Sequence, residues 1–179
     1  MLQNSSILKT MEVFFIKPVK EHYLLSISRE IGLAHTSVKK NLKKLVKLGL
    51  IKASIVKRGK RRFPVYKANL DNITFKSYKF VHNISSILES GLIEFIKGKL
   101  TPKSIVLFGS YARGEDTEKS DIDLFIECKE KQLDIKSFER KLERRMQLHF
   151  NEDFTSYSKE LKNNIINGIV LSGFLEGYK

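Results

Sequence analysis

Cysteine is nearly missing from this chain of 179 residues, which contains only Cys128. A single cysteine excludes a disulfide within the chain and is typical of a reducing cytoplasm. Long apolar runs are missing as well: no stretch of about 18 apolar residues occurs, so a membrane-spanning helix is not expected. The first residues, MLQNSSILKTMEVFF, lack the basic start and the small-residue cleavage site of a signal peptide. We therefore expect a cytoplasmic protein without a membrane partner.

Acidic residues are scarce in the first part of the chain only. Residues 1–70 hold 16 Lys and Arg against 3 Asp and Glu, whereas residues 71–179 hold 17 of each kind. The whole net charge of +13 therefore lies in the first 70 residues. This asymmetry predicts two domains with different partners, the first of which faces a polyanion.

The first 70 residues show the pattern helix, helix, hairpin. Apolar spacing predicts a first helix over residues 6–16. A short buried helix follows and ends at Gly32, and Thr36 or Ser37 is placed to N-cap the next helix, 36–48. Two β-prone runs, LIKASIV and FPVYKA, flank the basic turn KRGKRR and predict a hairpin.

This order of elements resembles a winged helix-turn-helix domain, and SISREIGLAHTSVKKNLKKLVKLGLIK is similar to the central part of the MarR/ArsR-like group. The resemblance covers about residues 5–70. It implies that helix 36–48 enters the DNA major groove and that the wing contacts the backbone or the minor groove. The alternatives are a solvated basic face and a winged helix that binds protein.

The predicted DNA contacts are mostly lysines, which bind phosphates through counterion release whatever the fold. Lysine favours phosphate contacts over reading of base edges, so we expect modest sequence specificity. The candidate DNA-binding residues are Thr36, Ser37, Lys40, Lys43, Lys44, Lys47, Arg58, Lys60, Arg61 and Arg62.

Residues 71–100 predict one long or broken connecting helix, weakened at Gly91. We expect it to pack on the second domain. A seam in a homodimer is its alternative role.

A glycine-serine turn and two aspartates follow in the second part of the chain. KSIVLF (103–108) predicts a buried strand, and GSYARGE a turn or short helix in which Gly109 lets a phosphate approach the backbone. Ser110 can donate to an anion from its hydroxyl and its amide. In the next predicted strand, SDIDLFIE, Asp121 and Asp123 face one way and the apolar residues the other. Two such carboxylates beside a phosphate-accepting turn suit Mg²⁺ held jointly with nucleotide phosphates.

The stretch GSYARGEDTEKSDIDL resembles the signature of the DNA polymerase β-like nucleotidyltransferases, specifically their small minimal group. The resemblance covers about residues 90–179 and implies an α/β core with a short mixed sheet. It implies that Gly109 and Ser110 bind the phosphates of ATP or another NTP, and that Asp121 and Asp123 are catalytic and bind Mg²⁺ or Mn²⁺. The chain as a whole is then an α+β protein with a winged helix-turn-helix domain (1–70), a connecting helix (71–100) and a nucleotidyltransferase domain (101–179).

Arg113, in the A-R-G of the signature, has two interpretations. It either contacts a phosphate or shapes the turn through a salt bridge, with Glu115 or Asp116 as the partner.

The third carboxylate of this family is missing from its expected place. In the predicted strand MQLHF (146–150), alternation puts Gln147 and His149 on the acidic face, and Gln147 takes the expected position. Glutamine is a weaker metal ligand than a carboxylate and cannot act as a base. Three hypotheses follow: His149 substitutes, Glu152 or Asp153 swings in from the next loop, or transfer has been lost.

Two functions are therefore carried forward. The first is Mg²⁺-dependent transfer of an NMP, AMP from ATP by preference, to a hydroxyl of a protein, an RNA end or a small molecule. The resemblance to the minimal group adds the expectation of an antitoxin that modifies a partner toxin, and the pairing of the two domains resembles archaeal proteins. The alternative is a DNA-binding transcriptional regulator whose degenerate second domain only binds nucleotide or dimerises.

Overall fold

The computed structural model describes residues 5–176, and the chain divides after Tyr78 into two compact units. In the described range, no helix is both long and apolar enough to cross a lipid bilayer. Unit 1 is the part before this division and unit 2 the part after it.

Unit 1 consists of three helices followed by a hairpin. Its elements are α1 (Ser6–Ile16), α2 (Leu24–Ile31), α3 (His35–Lys47), β1 (Ile51–Arg58) and β2 (Arg61–Ala68). Helix α2 ends at Gly32 in the left-handed conformation, as the sequence predicts. The strands pair antiparallel, with Ile51 opposite Ala68. One apolar core holds these elements together, and the members with no exposed surface are Phe14, Ile27, Val38, Leu42 and Phe75.

The predicted capping of α3 is wrong. The helix begins at His35, and its N-cap is Ala34, which makes no side-chain capping hydrogen bond. Thr36 and Ser37 already lie in the first turn, so neither stands at the position from which a side chain caps.

The segment predicted as a connecting helix is two helices, α4 (Ile73–Ser90) and α5 (Leu92–Leu100). The break falls at Gly91, which has φ +81° and N-caps α5. Only glycine adopts this conformation at little cost, which explains the weakness predicted there. The boundary between the two units lies within α4.

Unit 2 is built on a four-stranded mixed sheet. After α5 come β3 (Ser104–Phe108), α6 (Gly109–Ala112), β4 (Ile122–Ile126), α7 (Lys136–Leu142), β5 (Met146–Phe150), a 3₁₀ turn (Phe154–Ser156), α8 (Lys159–Ile166) and β6 (Ile169–Gly173). The strand order is β5-β4-β3-β6, in which β4 and β5 are parallel and the other pairs antiparallel. The predicted mixed sheet is thus confirmed.

Both faces of this sheet carry an apolar cluster. Along β3, Ile105 and Leu107 belong to one cluster, which also takes in Ile122, Leu124 and Met146. Val106 and Phe108 alternate with them and pack on the opposite face with Phe125, Phe154 and Ile165. A strand buried on both faces reads as a continuous apolar run, which is what KSIVLF shows.

Candidate active site

The aspartate pair lies where β4 begins. Asp121 directly precedes the strand, and Asp123 is its second residue, opposite Phe108 of β3 and Gln147 of β5. Both aspartates are half-buried. Their neighbours Ile122 and Leu124 are fully buried in the core, as the alternation predicts.

Burial raises the pKa of Asp123, and the negative charge of Asp121 raises it further. The positive charge of a protonated His149 acts in the opposite direction. Because Asp121 affects the pKa of Asp123, the two carboxylates share one electrostatic environment. A divalent cation there would favour the ionised form of both.

Gly109 packs directly against this pair. Its φ is +78°, a conformation that residues with a side chain rarely adopt. A Cβ atom added to Gly109 would collide with Oδ2 of Asp123. The glycine is therefore needed twice, for the backbone turn after β3 and for the space that the Asp123 carboxylate occupies.

The backbone after Gly109 makes one helical turn, α6, and then closes on itself. The carbonyl of Ser110 accepts hydrogen bonds from the N–H groups of Arg113 (3.1 Å) and Glu115 (3.0 Å). Arg113 is exposed, and its Nε lies 2.9 Å from Oε2 of Glu115. Of the two predicted salt-bridge partners, Glu115 is therefore the one found. Contact between Arg113 and a phosphate stays a prediction.

Gln147 stands beside the pair, at the register position next to Asp123. Its Nε2 donates a hydrogen bond of 2.7 Å to Oδ2 of Asp121. An aspartate here would instead add a third negative charge. Over residues 5–176, no group of three or more His, Cys, Asp and Glu side chains is placed to hold a metal ion.

Glu152 and Asp153 do not fill this gap. Because β4 and β5 run parallel, Gln147 lies beside Asp123, whereas Phe150 lies beside Ile126 at the far end of the strands. The loop that carries Glu152 and Asp153 follows Phe150, and both residues are exposed. The hypothesis that one of them swings in is therefore disfavoured by the topology.

His149 lies close to the pair, but without a hydrogen bond to it. Its Nε2 is 3.7 Å from Oδ1 of Asp123, and this buried atom has no hydrogen-bond partner. The ring packs against Phe108, with 5.1 Å between the ring centroids. His149 is thus a neighbour of Asp123 that is held by an aromatic contact.

The donor set fits one hard cation. Asp121 and Asp123 provide carboxylate oxygens, and Mg²⁺ is commonly held by one or two carboxylates together with substrate phosphates and water. Gly109, which packs against the Asp123 carboxylate, has no side chain that would keep a phosphate from the backbone of the turn. A second metal ion, which usually needs a further carboxylate, has no such ligand at Gln147.

A buried ionic network supports the loop between α6 and Asp121. Asp116 is fully buried and accepts hydrogen bonds from Lys79 and from Asn83 (2.7 Å), both on α4. Nη2 of Arg144, just before β5, lies 3.4 Å from the other oxygen of Asp116. Asn83 also donates to the carbonyl of Tyr111 in α6 (2.9 Å). The network thus fastens both α6 and the loop before Asp121 to α4.

Sequence reasoning missed this network. Lys79 lies in an amphipathic helix, where a lysine is ordinarily solvated, yet it has no exposed surface. Burial lowers its pKa, and Asp116 opposes this effect. The one signal in the sequence is Asp116 itself, an acidic residue within the signature GSYARGEDTEKSDIDL.

In unit 1, the predicted DNA contacts lie on the outside. Eight of them are exposed on α3, at the hairpin turn and on β2: Thr36, Lys40, Lys43, Lys44, Lys47, Lys60, Arg61 and Arg62. Ser37 is half-buried, and the side chain of Arg58 lies outside what the structure describes. The inward stripe of Val38, Leu42 and Leu45 is buried, so the helix face that carries the lysines points away from the core.

Known proteins are similar to this chain over parts of its length. The pattern of the family described as "Polymerase beta, Nucleotidyltransferase" matches residues 90–175. Three similar proteins of Methanocaldococcus jannaschii share the name "Putative protein adenylyltransferase". MJ1215 is 44% identical over 61 residues, which are 34% of this chain and 70% of that protein. MJ0128 is 46% identical over 61 residues, 34% of this chain and 61% of that protein. MJ1379 is 60% identical over 37 residues, 21% of this chain and 37% of that protein.

The chain thus spans only part of the length of two of these relatives, 61% of MJ0128 and 37% of MJ1379. A solved structure described as "Possible transcriptional regulator from Methanosarcina mazei Go1" covers 52% of this chain and 79% of its own, with 19% identity and a TM-score of 0.38. The match to the family pattern covers the region that holds the aspartate pair, and the match to MJ1215 spans more than two thirds of that protein. Through residues 90–175, the chain belongs to the polymerase beta nucleotidyltransferase family.

Proposed function

We propose that unit 2 is a nucleotidyltransferase that moves AMP from ATP to a hydroxyl of a protein. The observation that carries this proposal is the contact between Gly109 and Asp123: the turn suited to phosphates and the carboxylates suited to a metal are built against each other. The relatives named as protein adenylyltransferases support AMP and a protein acceptor as the first choice. A toxin encoded with the protein is one acceptor of this class.

In the proposed reaction, the acceptor hydroxyl oxygen attacks the α-phosphorus of ATP. The bond from that phosphorus to the bridging oxygen breaks, pyrophosphate leaves, and the hydroxyl proton passes to water. When bound, Mg²⁺ would neutralise phosphate charge and polarise the α-phosphate. The roles of the chain are to hold that ion through Asp121 and Asp123, and to receive the leaving phosphates at Gly109 and Ser110.

We propose in addition that unit 1 is a winged helix-turn-helix domain that binds DNA. Its element order supports this, and so does a short β-bridge in which His22 and Tyr66 exchange backbone hydrogen bonds of 2.8 and 2.9 Å. That bridge adds a third short strand segment beside the hairpin, as winged domains have. The exposed lysines of α3 and the basic turn supply the contacts to phosphates.

The proposed transfer is tested with ATP labelled at the α-phosphate, Mg²⁺ and host-cell extract. We expect label on protein, and its loss in the double variant Asp121→Asn, Asp123→Asn. The matched control is Glu130→Gln with Glu160→Gln, which removes the same charge from exposed positions of the same unit. Label that persists in the aspartate variant would show that the assigned site is wrong.

One observation favours the second candidate, a regulator that binds nucleotide without transferring it. Gln147 occupies the place of a third carboxylate and bonds to Asp121 in its stead. If this candidate holds, the intact protein binds Mg-ATP but labels nothing. Gln147→Asp should then increase the affinity for Mg²⁺ and produce measurable transfer.

A further inference from the structure

A cleft of about 980 Å³, lined by charged residues and one serine, opens beside Asp121. Its walls are the loop 118–121 on one side and α7 with the following residues up to Arg145 on the other. Asp121 is the one member of the aspartate pair that lines it. Gly109 and Ser110 are not among the described residues that line the cleft.

The location of the cleft beside Asp121 suits the approach of the acceptor in an in-line displacement. The attacking oxygen and the leaving oxygen must lie on opposite sides of the phosphorus atom. Under the proposed function, the leaving pyrophosphate lies at the Gly109 turn, which packs against Asp123. The acceptor hydroxyl must then approach from another direction, and the cleft reaches the pair from the side of Asp121.

The charges of the lining favour a protein over a nucleic acid. Five Lys and Arg alternate with four Asp and Glu around the cleft, so the charges nearly cancel. A phosphodiester backbone would be repelled by the carboxylates and gain little from counterion release. The volume exceeds that of one side chain, and mixed charges suit a peptide segment that carries its own charged groups.

The walls of the cleft are held before any ligand arrives. Glu139 accepts a hydrogen bond of 2.9 Å from the backbone N–H of Met146, and Arg144 is fixed by Asp116. Lys136 and Arg140 are exposed and stand one turn apart on α7, so they face the same way, and Nε of Arg140 donates a long hydrogen bond of 3.4 Å to the carbonyl of Lys136. They give the α7 wall two exposed cations at the rim of the cleft, and Lys119 and Arg145 are exposed there as well.

We propose that this cleft binds the acceptor: a protein segment whose acidic side chains meet Lys136 and Arg140 while its hydroxyl reaches Asp121. This inference rests on the proposed transfer of AMP. It adds a recognition site on α7, outside the aspartate pair and the glycine-serine turn.

The test is charge reversal at the rim. The variant Lys136→Glu, Arg140→Glu is compared with Lys97→Glu, Lys99→Glu, which makes the same change of charge at exposed positions of α5. We measure the labelling of protein from α-labelled ATP in host extract, and separately the Kd for Mg-ATP. We expect the rim variant to lose about tenfold or more of its labelling rate, with an unchanged Kd for Mg-ATP. The control should label as the unaltered protein does.

Each other outcome overturns the proposal in a recognisable way. If the rim variant labels protein at the normal rate, or if the control loses as much, the cleft does not select the acceptor, although transfer itself stands. A weakened Kd for Mg-ATP in the rim variant would assign the cleft to the nucleotide. Label on RNA instead of protein would replace the class of acceptor. No label from the unaltered protein would remove the proposed transfer, and the cleft assignment with it.

Discussion

The two units of this protein use charge in opposite ways. Unit 1 carries the excess of basic residues, yet its buried polar residues are Thr10, His22, Ser28 and Asn41, with no buried Lys, Arg, Asp or Glu in its described part. Unit 2 is nearly neutral, yet it buries Lys79, Asp116 and Arg144 together. An excess of charge on a surface attracts a polyanion from a distance, whereas a buried charge fixes a loop in place. Net charge alone therefore indicates the basic surface of the first unit but not the buried ionic network of the second.

Removal of Asp116 should have the largest effect, because it leaves two buried cations without their shared carboxylate. We expect Asp116→Ala to cost about 3–5 kcal/mol in the stability of unit 2. Native-state hydrogen exchange measures this, since it reports peptides from β3–β5 separately from those of α1–α3. The latter should keep their protection.

Two variants sharpen this first prediction. Asp134→Ala, which removes an exposed carboxylate from the same unit, should change protection little. Adding Lys79→Met to Asp116→Ala should recover part of the loss, because one uncompensated cation is then removed. Equal losses in Asp116→Ala and Asp134→Ala would mean that the network contributes nothing of its own.

Gly109→Ala should have the next largest effect, on the active site. The new Cβ meets a carboxylate oxygen of Asp123 and needs a left-handed backbone conformation. We expect AMP transfer to fall about a hundredfold, equivalent to about 2.7 kcal/mol. The assay is the labelling of protein, together with the affinity for Mg²⁺ measured by calorimetry.

Gly98→Ala is the matched control for this change. Gly98 lies in α5, where an added Cβ would have nothing within 4 Å. Alanine should be neutral or stabilising there, because it has the higher helix propensity. If Gly109→Ala kept full activity, the close approach of the turn to Asp123 would have no bearing on the reaction.

Much of this architecture follows from local patterns that the sequence displays. The strand at 104–108, the strand that carries Asp123 and the hairpin of unit 1 depend on alternation and turn residues, and all three are found. The lack of a third carboxylate at position 147 was also predictable, because the pairing of β5 with β4 alone puts Gln147 beside Asp123.

The features that escaped prediction depend on contacts between distant segments. Lys79, Asp116 and Arg144 lie far apart in the sequence, and each by itself resembles an ordinary surface charge. The cleft beside Asp121 also depends on distant segments, since a loop and a helix separated along the chain form its walls. The start of α3 at His35 also escaped prediction, but for a local reason: Ala34 caps the helix without a side-chain hydrogen bond, so the usual capping residues pointed two or three positions too far.

His82 should give unit 2 a pH dependence of intermediate size. Burial lowers its pKa from 6.5 to about 4, and the cations Lys79 and Arg144 act in the same direction. Between about pH 4 and pH 6.5, His82 therefore binds a proton in the unfolded state but not in the folded state. The contribution of His82 to stability is fully present above about pH 6.5 and is lost as the pH falls toward 4.

Between pH 7.5 and pH 4.5, we expect this loss to amount to about 2.5 kcal/mol. The variant His82→Gln has no such titration. The difference in stability between the two proteins, measured by denaturation at pH 7.5 and pH 4.5, should therefore change by that amount. A constant difference across this range would show that His82 accepts a proton in the folded state as readily as in the unfolded one.

The smallest effect is expected on the lysine face of unit 1, where no charge is buried. Lys40→Ala with Lys43→Ala removes two exposed cations from α3, and DNA affinity at moderate salt should fall about tenfold. The salt dependence is the sharper measurement: the slope of log K against log salt should decrease by about 2, one for each lost phosphate contact. Lys97→Ala with Lys99→Ala removes the same charge from unit 2 and should leave that slope unchanged.

Because lysines that bind phosphates do not read bases, the loss of affinity in the Lys40→Ala, Lys43→Ala variant should be equal for unrelated DNA sequences. A loss of affinity confined to one DNA sequence would mean that α3 reads base edges. The exposed charges of unit 1 would then do more than attract a polyanion, and the contrast with the buried charges of unit 2 would not hold.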